Sequence, residues 1–190
     1  MKKKGLIVLF AVIAVIGVIC GLIAGSYNGL VEQRESVETA QSAISTQLQR
    51  RAYLIPNFVA TVNGYSDYVQ STYTAVTEAR AKDTGAATAT EQAEASAELD
   101  KAISVWVNAV TEAYPDLKAN KQYTALQDEL AGTENRIAVA RKDYNKAAKE
   151  YNVAVKRFPK NIIAGMFGFT AVDYFEAQAG TESVPQVSFD

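Results

Sequence analysis

The N-terminal segment constrains this chain most strongly, because three lysines there precede a long uncharged run. The run extends from Gly5 to Val31, and its apolar core is the stretch from Leu6 to Ala24. As an α-helix this core would rise about 28 Å, close to the roughly 30 Å hydrocarbon core of a bilayer. The sequence therefore predicts a transmembrane anchor whose residues 6–24 contact the lipid bilayer.

Two other leader types fit this segment less well. A secretory signal peptide shares the positive start, but its apolar region usually has about 7–15 residues, and Ala24-Gly25-Ser26 is an imperfect cleavage site. Lipid attachment at Cys20 requires a small residue before the cysteine, whereas Ile19 stands there. We expect an uncleaved anchor, with a cleaved signal as the alternative.

The charges that flank the span predict its orientation. Positions 2–4 are lysines, whereas the far side stays neutral until Glu32. By the positive-inside rule the N-terminus remains cytoplasmic and the chain after Gly25 is exported. We therefore expect a single-pass protein of the bacterial cell membrane with an extracytoplasmic domain.

Three glycines in the span form a tandem small-residue motif. Gly17, Gly21 and Gly25 are spaced by four, so they share one helix face and allow a second helix to approach closely. Glycine is frequent in membrane spans in any case. Helix packing into a homo-oligomer is therefore one interpretation, and ordinary span composition is the other.

Composition excludes several classes of function. The chain has no histidine, one cysteine and a net charge of −2. A Ser-His-Asp triad, a His-ligated zinc site and an internal disulfide are therefore impossible, and nucleic-acid binding through bulk positive charge is excluded. We expect no enzymatic activity, no nucleic-acid partner, and no catalytic, metal-binding or cofactor-binding residue.

Apolar spacing beyond the anchor predicts long helices. Residues spaced by three, four or seven form one stripe from Leu30 to Leu48 and another from Phe58 to Ala79, with Pro56 between them. Proline removes a backbone donor and disfavours helix at the residue before it. Pro56 therefore either kinks one helix or separates two, and the few residues around it favour a kink.

Two further helices follow a stop at Lys82-Asp83-Thr84-Gly85. Thr88 and Glu91 have capping-box spacing at the start of an alanine-rich helix, which ends at Tyr114-Pro115-Asp116. The last helix extends from near Ala119 to Phe158-Pro159.

Together these segments predict an all-α fold, since helices joined by short turns pack antiparallel. A cytoplasmic stub and transmembrane helix (1–26) precede an elongated antiparallel bundle of three to four long helices (27–160). Residues 161–190 are an apolar segment with a polar tail. Gly165 and Gly168 oppose a stable helix there. We expect the segment to pack on the bundle, with contact to a partner or the membrane surface as the alternative.

Four arginines are candidates for a polar cluster. Arg50 and Arg51 lie beside the Pro56 break, and Arg136 and Arg141 lie among carboxylate and amide side chains of the last helix. Arginine can bind a carboxylate or phosphate in bidentate fashion. It can equally form ion pairs between helices, and we favour this structural role.

Several motifs, in order along most of the chain, resemble those of the LemA family. They are Tyr27–Val31 after the span, Gln47–Arg51, Leu54–Asn57, Glu112–Asn120, Glu134–Arg141, Asp143–Asn145, Phe158-Pro159, Ala164–Phe169 and Tyr174-Phe175. The resemblance implies a bacterial single-span membrane protein with a helical-bundle domain, and no established activity. Many relatives have a His-Glu pair soon after the position of Tyr65, where this chain has Ser66-Asp67-Tyr68. A site built on that histidine could not operate here.

Two functions are compatible with this sequence. The first is an interaction or scaffold module of the cell envelope, which would bind copies of itself or an unknown envelope protein. The alternative is a membrane-anchored sensor that binds a small molecule or an ion through the arginine cluster.

Overall fold

The computed structural model describes residues 2–63, 70–86 and 88–176. Their regular elements are α1 (Lys2–Asn63), α2 (Gln70–Gly85), α3 (Ala89–Ala113), α4 (Lys121–Lys156) and α5 (Lys160–Phe167), with a 3₁₀ turn at Pro115–Ala119. No strand occurs among the described residues, so the predicted all-α fold class is confirmed. The Ser66-Asp67-Tyr68 segment and the polar tail from Gly180 onward lie outside the described residues.

Pro56 lies inside α1 and does not separate two helices. The side chains around it explain why the helix continues, because Ile55, Phe58 and Val59 are all buried. Burial of an apolar face stabilises a helix more than local propensity does. Of the apolar stripe predicted from Phe58 to Ala79, Phe58 and Val62 lie in α1, and Tyr73, Val76 and Ala79 lie in α2. Tyr65 and Val69 lie outside the described residues.

The predicted helix boundaries at α3 are confirmed. Thr88 caps the helix by accepting a hydrogen bond from the backbone of Glu91, and the Glu91 carboxylate accepts one from the backbone of Thr88. α3 ends just before Tyr114, and Pro115 occupies the first position of the 3₁₀ turn that follows. Proline fits there because the first turn of a helix needs no backbone donor.

The expectation that glycines prevent a helix near residue 165 is wrong. Gly165 lies within α5, and Gly168 ends that helix with a left-handed φ of 76°. The backbone N–H of Phe169 then donates to the carbonyl of Ala164, at 2.9 Å. Glycine favours this C-terminal cap because it has no Cβ to clash. Buried Ile163 and Ala164 attach the short helix to its surroundings.

Contacts divide the described residues into two compact units. The first, here called the anchor unit, takes residues 2–40 and 146–172, and Leu30, Val37 and Tyr151 are buried in it. The second, here called the cluster unit, takes the described residues within 41–145 and 173–176. Its core is organised around Phe58, whose ring lies 5.2 Å from that of Trp106 and 5.1 Å from that of Tyr123.

The chain from Phe169 to Glu176 has no regular secondary structure, and asparagines of α4 bind its backbone. In the anchor unit, Asn152 donates to the carbonyl of Val172 and accepts from its N–H, both at 2.8 Å. In the cluster unit, Asn145 makes the same pair of bonds to Phe175, at 2.7 and 2.9 Å. Each amide thereby satisfies a backbone donor and acceptor, as a neighbouring strand would.

Candidate functional site

Arg51 lies at the centre of a polar cluster inside the cluster unit, where only 1% of its surface is exposed. Its Nη1 donates to Asp100 at 2.8 Å and to Glu134 at 3.0 Å, and its Nη2 donates to Asp83 and to Ser96, both at 2.9 Å. α2, α3 and α4 each provide at least one of these partners. One guanidinium of α1 therefore connects all four long helices of the fold.

Asp83 and Ser96 form the buried end of this cluster. Both are almost fully buried, and the Ser96 hydroxyl donates to the second carboxylate oxygen of Asp83. The sequence indicated only a turn at Asp83, whereas the carboxylate points inward from the last turn of α2. A buried carboxylate needs such partners, because an unpaired charge in a protein interior is costly.

Arg141 approaches the same carboxylates from α4. Burial lowers the pKa of Arg141, and the charge of Arg51 acts in the same direction, whereas Glu134 opposes both. Its guanidinium also lies 5.5 Å from the ring centroid of Phe175, within the range of a cation–π contact. For Arg51 the balance is reversed. Burial disfavours its charge, but the neighbouring carboxylates outweigh burial and raise its pKa.

Asp100 has the most shifted pKa in the cluster. Burial raises its pKa to about 7, Arg51 opposes the increase, and Glu134 adds to it. The cause is geometric, since Asp100 and Glu134 both accept from the same Nη1 atom of Arg51 and so lie close together. Two adjacent carboxylates favour retention of a proton by one of them.

This shift predicts that pH acts on stability through Asp100. The unfolded chain loses the Asp100 proton near pH 4, whereas the folded chain keeps it until about pH 7. The stabilisation is therefore complete below about pH 4 and is lost as pH rises through about 7. We expect the melting temperature of the wild type, relative to that of an Asp100→Asn chain, to fall between about pH 4 and pH 7 and to level off above that. The asparagine variant is the control because it cannot ionise, and an unchanged difference would contradict the assignment.

A cavity of about 330 Å³ opens beside the cluster. Phe58, Ile103, Val107 and Leu130 are among its apolar lining residues, and Arg51, Asp100 and Glu134 form part of its polar lining. The Arg51 guanidinium already donates to Asp100 and Glu134, and these two carboxylates line the cavity with it. This arrangement suits a cationic group better than the carboxylate or phosphate that arginines alone would favour.

The four predicted arginines form two separate pairs. Arg51 binds the carboxylates of the cluster and Arg141 interacts with them electrostatically, whereas Arg50 and Arg136 bind Glu129 at 2.7 and 2.6 Å on the surface. Arg50 and Arg136 have half-exposed side chains. No group of three or more His, Cys, Asp or Glu side chains within the described ranges is arranged to hold a metal ion.

The predicted glycine motif lies on the unburied start of α1. Residues 6–22 are all exposed, and this helix is long and apolar enough to cross a membrane. A Cβ added at Gly17, Gly21 or Gly25 would meet no atom of another described element within 4 Å. The face is therefore open to a second helix.

Sequence reasoning placed Glu134 beside the arginines of the last helix but missed Asp83 and Asp100. These two look like solvated turn or helix residues when each segment is considered alone. The one available signal was Ser96, a polar residue on the inward face of an otherwise apolar stripe.

Comparison with known proteins gives two kinds of match. The model of the LemA family matches residues 40–189. Protein LemA of Metamycoplasma hominis is 26% identical over 176 residues, which is 92% of this chain and 80% of that protein. Magnetosome protein MamQ 2 of Paramagnetospirillum magneticum is 38% identical over 68 residues, 36% of this chain and 25% of that protein. Magnetosome protein MamQ of Magnetospirillum gryphiswaldense is 35% identical over 82 residues, 42% of this chain and 30% of that protein.

Proposed function

Because this chain belongs to the LemA family, we propose that it is a single-pass, membrane-anchored helical protein of the bacterial envelope that acts as an interaction or scaffold module. Its N-terminus lies in the cytoplasm and its folded units lie outside. Its partners are the bilayer and either copies of itself or another envelope protein. The role is not enzymatic and needs no cofactor.

One observation carries the proposal. α1 continues without a break from its exposed apolar start into the packed part of the anchor unit, where Leu30 and Val37 are buried. A helix is stiff over this length, so it would hold the first packed residues at a fixed height above the bilayer. A flexible linker would not do so, and a fixed position is what a scaffold requires.

The cluster of ion pairs supports a structural interpretation of the arginines. Arg51 donates to three carboxylates of three other helices. Asp100 and Glu134 both accept from this one guanidinium, which is the pattern of an ion pair between helices.

The scaffold proposal can be tested by measuring whether the chain associates with itself through the glycine face of the span. We expect the full chain in mild detergent to sediment as an oligomer, and Gly21→Leu to weaken association at least about tenfold because the added side chain separates the helices. Val12→Leu enlarges a side chain on the opposite side of the span and is the matched control. A monomer for the wild type, together with no cross-linked partner in native membranes, would contradict the scaffold role.

A second candidate function is supported by the cavity beside Asp100 and Glu134. A sensor for a small cationic ligand would use these carboxylates and the apolar wall. Ligands stabilise the state that they bind. Small organic amines should then raise the melting temperature of the wild type and of Arg50→Ala, but not that of Asp100→Asn. The absence of any amine-dependent shift in the wild type would exclude this alternative.

A further inference from the structure

We propose that α5, together with Phe158, lies in the interfacial layer of the same bilayer that α1 crosses. This inference rests on the proposed membrane anchor and adds a second contact with lipid. It concerns the anchor unit alone, and it identifies the partner of an apolar surface that the fold leaves uncovered.

The first argument is the contact between α5 and the residues directly after the span. The ring of Tyr27 lies 4.9 Å from that of Phe167 and 5.7 Å from that of Phe169, both in edge-on geometry. Two residues further along α1, a Cβ added at Gly29 would meet the Nζ atom of Lys160 at 3.4 Å. Both ends of α5 are therefore attached to α1 close to the end of the apolar run.

These contacts fix the depth of α5. If the hydrocarbon core ends near Ala24, the helical rise places Tyr27 about 4.5 Å and Gly29 about 7.5 Å beyond it. The headgroup layer extends about 5–8 Å on each side of the hydrocarbon. α5 therefore meets α1 at headgroup level, where tyrosine rings are enriched in membrane proteins.

The second argument is the exposed face of α5. Ile162 and Met166 are 53% and 68% exposed, and their spacing of four places them on one side of α5. Phe158, in the turn just before α5, is 75% exposed. The opposite side, with Ile163 and Ala164, is buried against the protein. A short helix with one buried apolar face and one exposed apolar face is unusual in water. It is expected at an interface that accepts the second face.

The third argument is charge. Lys156, Arg157 and Lys160 flank the exposed face, and the sequence has no acidic residue between Glu150 and Asp173. The chain as a whole carries a net charge of −2, so this segment is a local exception. Basic residues beside apolar ones match the anionic headgroups and the acyl-chain boundary of a membrane. A surface that binds a protein could lie anywhere on the chain, whereas a surface that binds the bilayer must lie beside the end of the span, as α5 does.

The test uses the full chain in vesicles of phosphatidylcholine and phosphatidylglycerol. An environment-sensitive fluorophore is attached to Met166→Cys in a Cys20→Ser background, and lipids with a shallow spin label act as quenchers. We expect blue-shifted emission, strong quenching by lipid and several-fold weaker quenching by iodide than for a water-exposed probe. Val153→Cys is the matched control, since Val153 belongs to the same unit and is 50% exposed. It should remain accessible to iodide and unquenched by lipid.

Labelling of the native Cys20, which lies inside the span four residues before its end at Ala24, separates the two proposals. If the Cys20 probe is quenched by lipid but the Met166 probe behaves like the Val153 probe, the interfacial role of α5 is overturned and the anchor stands. A Met166 probe shielded from iodide but not quenched by lipid would mean that protein covers α5, which also overturns it. If lipid does not quench the Cys20 probe, both proposals fail.

Discussion

Replacement of Arg51 by alanine is expected to lower the free energy of unfolding by about 3–5 kcal/mol. The variant removes the guanidinium that pairs with Asp83, which is 4% exposed, and it leaves the buried Ser96 hydroxyl without the donor from Arg51. Loss of one partner from a buried ion pair costs more than the pair itself contributes, because the remaining charge stays desolvated. For a chain of this length the melting temperature should fall by about 6–20 °C.

The neighbouring arginine provides the control. The side chain of Arg50 is 53% exposed and pairs with Glu129 on the surface. Exposed pairs contribute about 0–1 kcal/mol, so Arg50→Ala should change the melting temperature by only a few degrees. Chemical unfolding of the full chain in detergent, followed by circular dichroism, measures both variants. Equal losses for Arg50→Ala and Arg51→Ala would contradict the buried cluster.

Local features of the fold could be predicted because they depend on neighbours in sequence. The capping box at Thr88 and the end of α3 before Pro115 each involve contacts over a few residues. The apolar stripe of α4 was also predicted, and Tyr123, Ile137 and Tyr151 on it are buried. A period of 3.6 residues is sufficient to identify an inward face without knowledge of what covers it.

The cluster could not be predicted, because its members are far apart in sequence. Arg51 and Glu134 are separated by 83 residues, and Arg51 and Asp83 by 32. A charged residue on a helix is solvated by default, and only the assembled helices decide which charges are buried. The arginine was nominated, but nothing local distinguished Arg51 from Arg50.

Pro56 and Asn152 illustrate two other limits of prediction from the sequence. Proline predicts a disturbed helix from its own geometry, yet the buried side chains around Pro56 maintain α1. Asn152 resembles any polar residue of a helix, and its role depends on the backbone of Val172, which has no sequence signature. A pattern of side chains does not indicate which backbone groups a residue will bind, so contacts of this kind are found only in a structure.

Removal of the positive charges before the span is expected to change the orientation of the chain in the membrane. A reporter that is active only after export, fused after Asp190, should be active in the wild type. Lysines at positions 2–4 precede the span, whereas Arg34 is the only basic residue within about 15–20 residues beyond it. Replacement of Lys2, Lys3 and Lys4 by serine removes this asymmetry, so most of the reporter activity should be lost as insertion weakens or inverts.

Replacement of the same three lysines by arginine is the matched control, because it keeps the charge and should keep the orientation. Recovery of a full-length, membrane-bound product from the wild-type strain would exclude a cleaved signal, whose apolar region is usually only about 7–15 residues long. Reporter activity confined to the cytoplasm would overturn the proposed orientation. An exported reporter in both the serine and arginine chains would instead mean that a feature other than flanking charge directs insertion. The apolar stretch of α1, which begins at Leu6 and is unchanged in all these variants, would then be the first candidate.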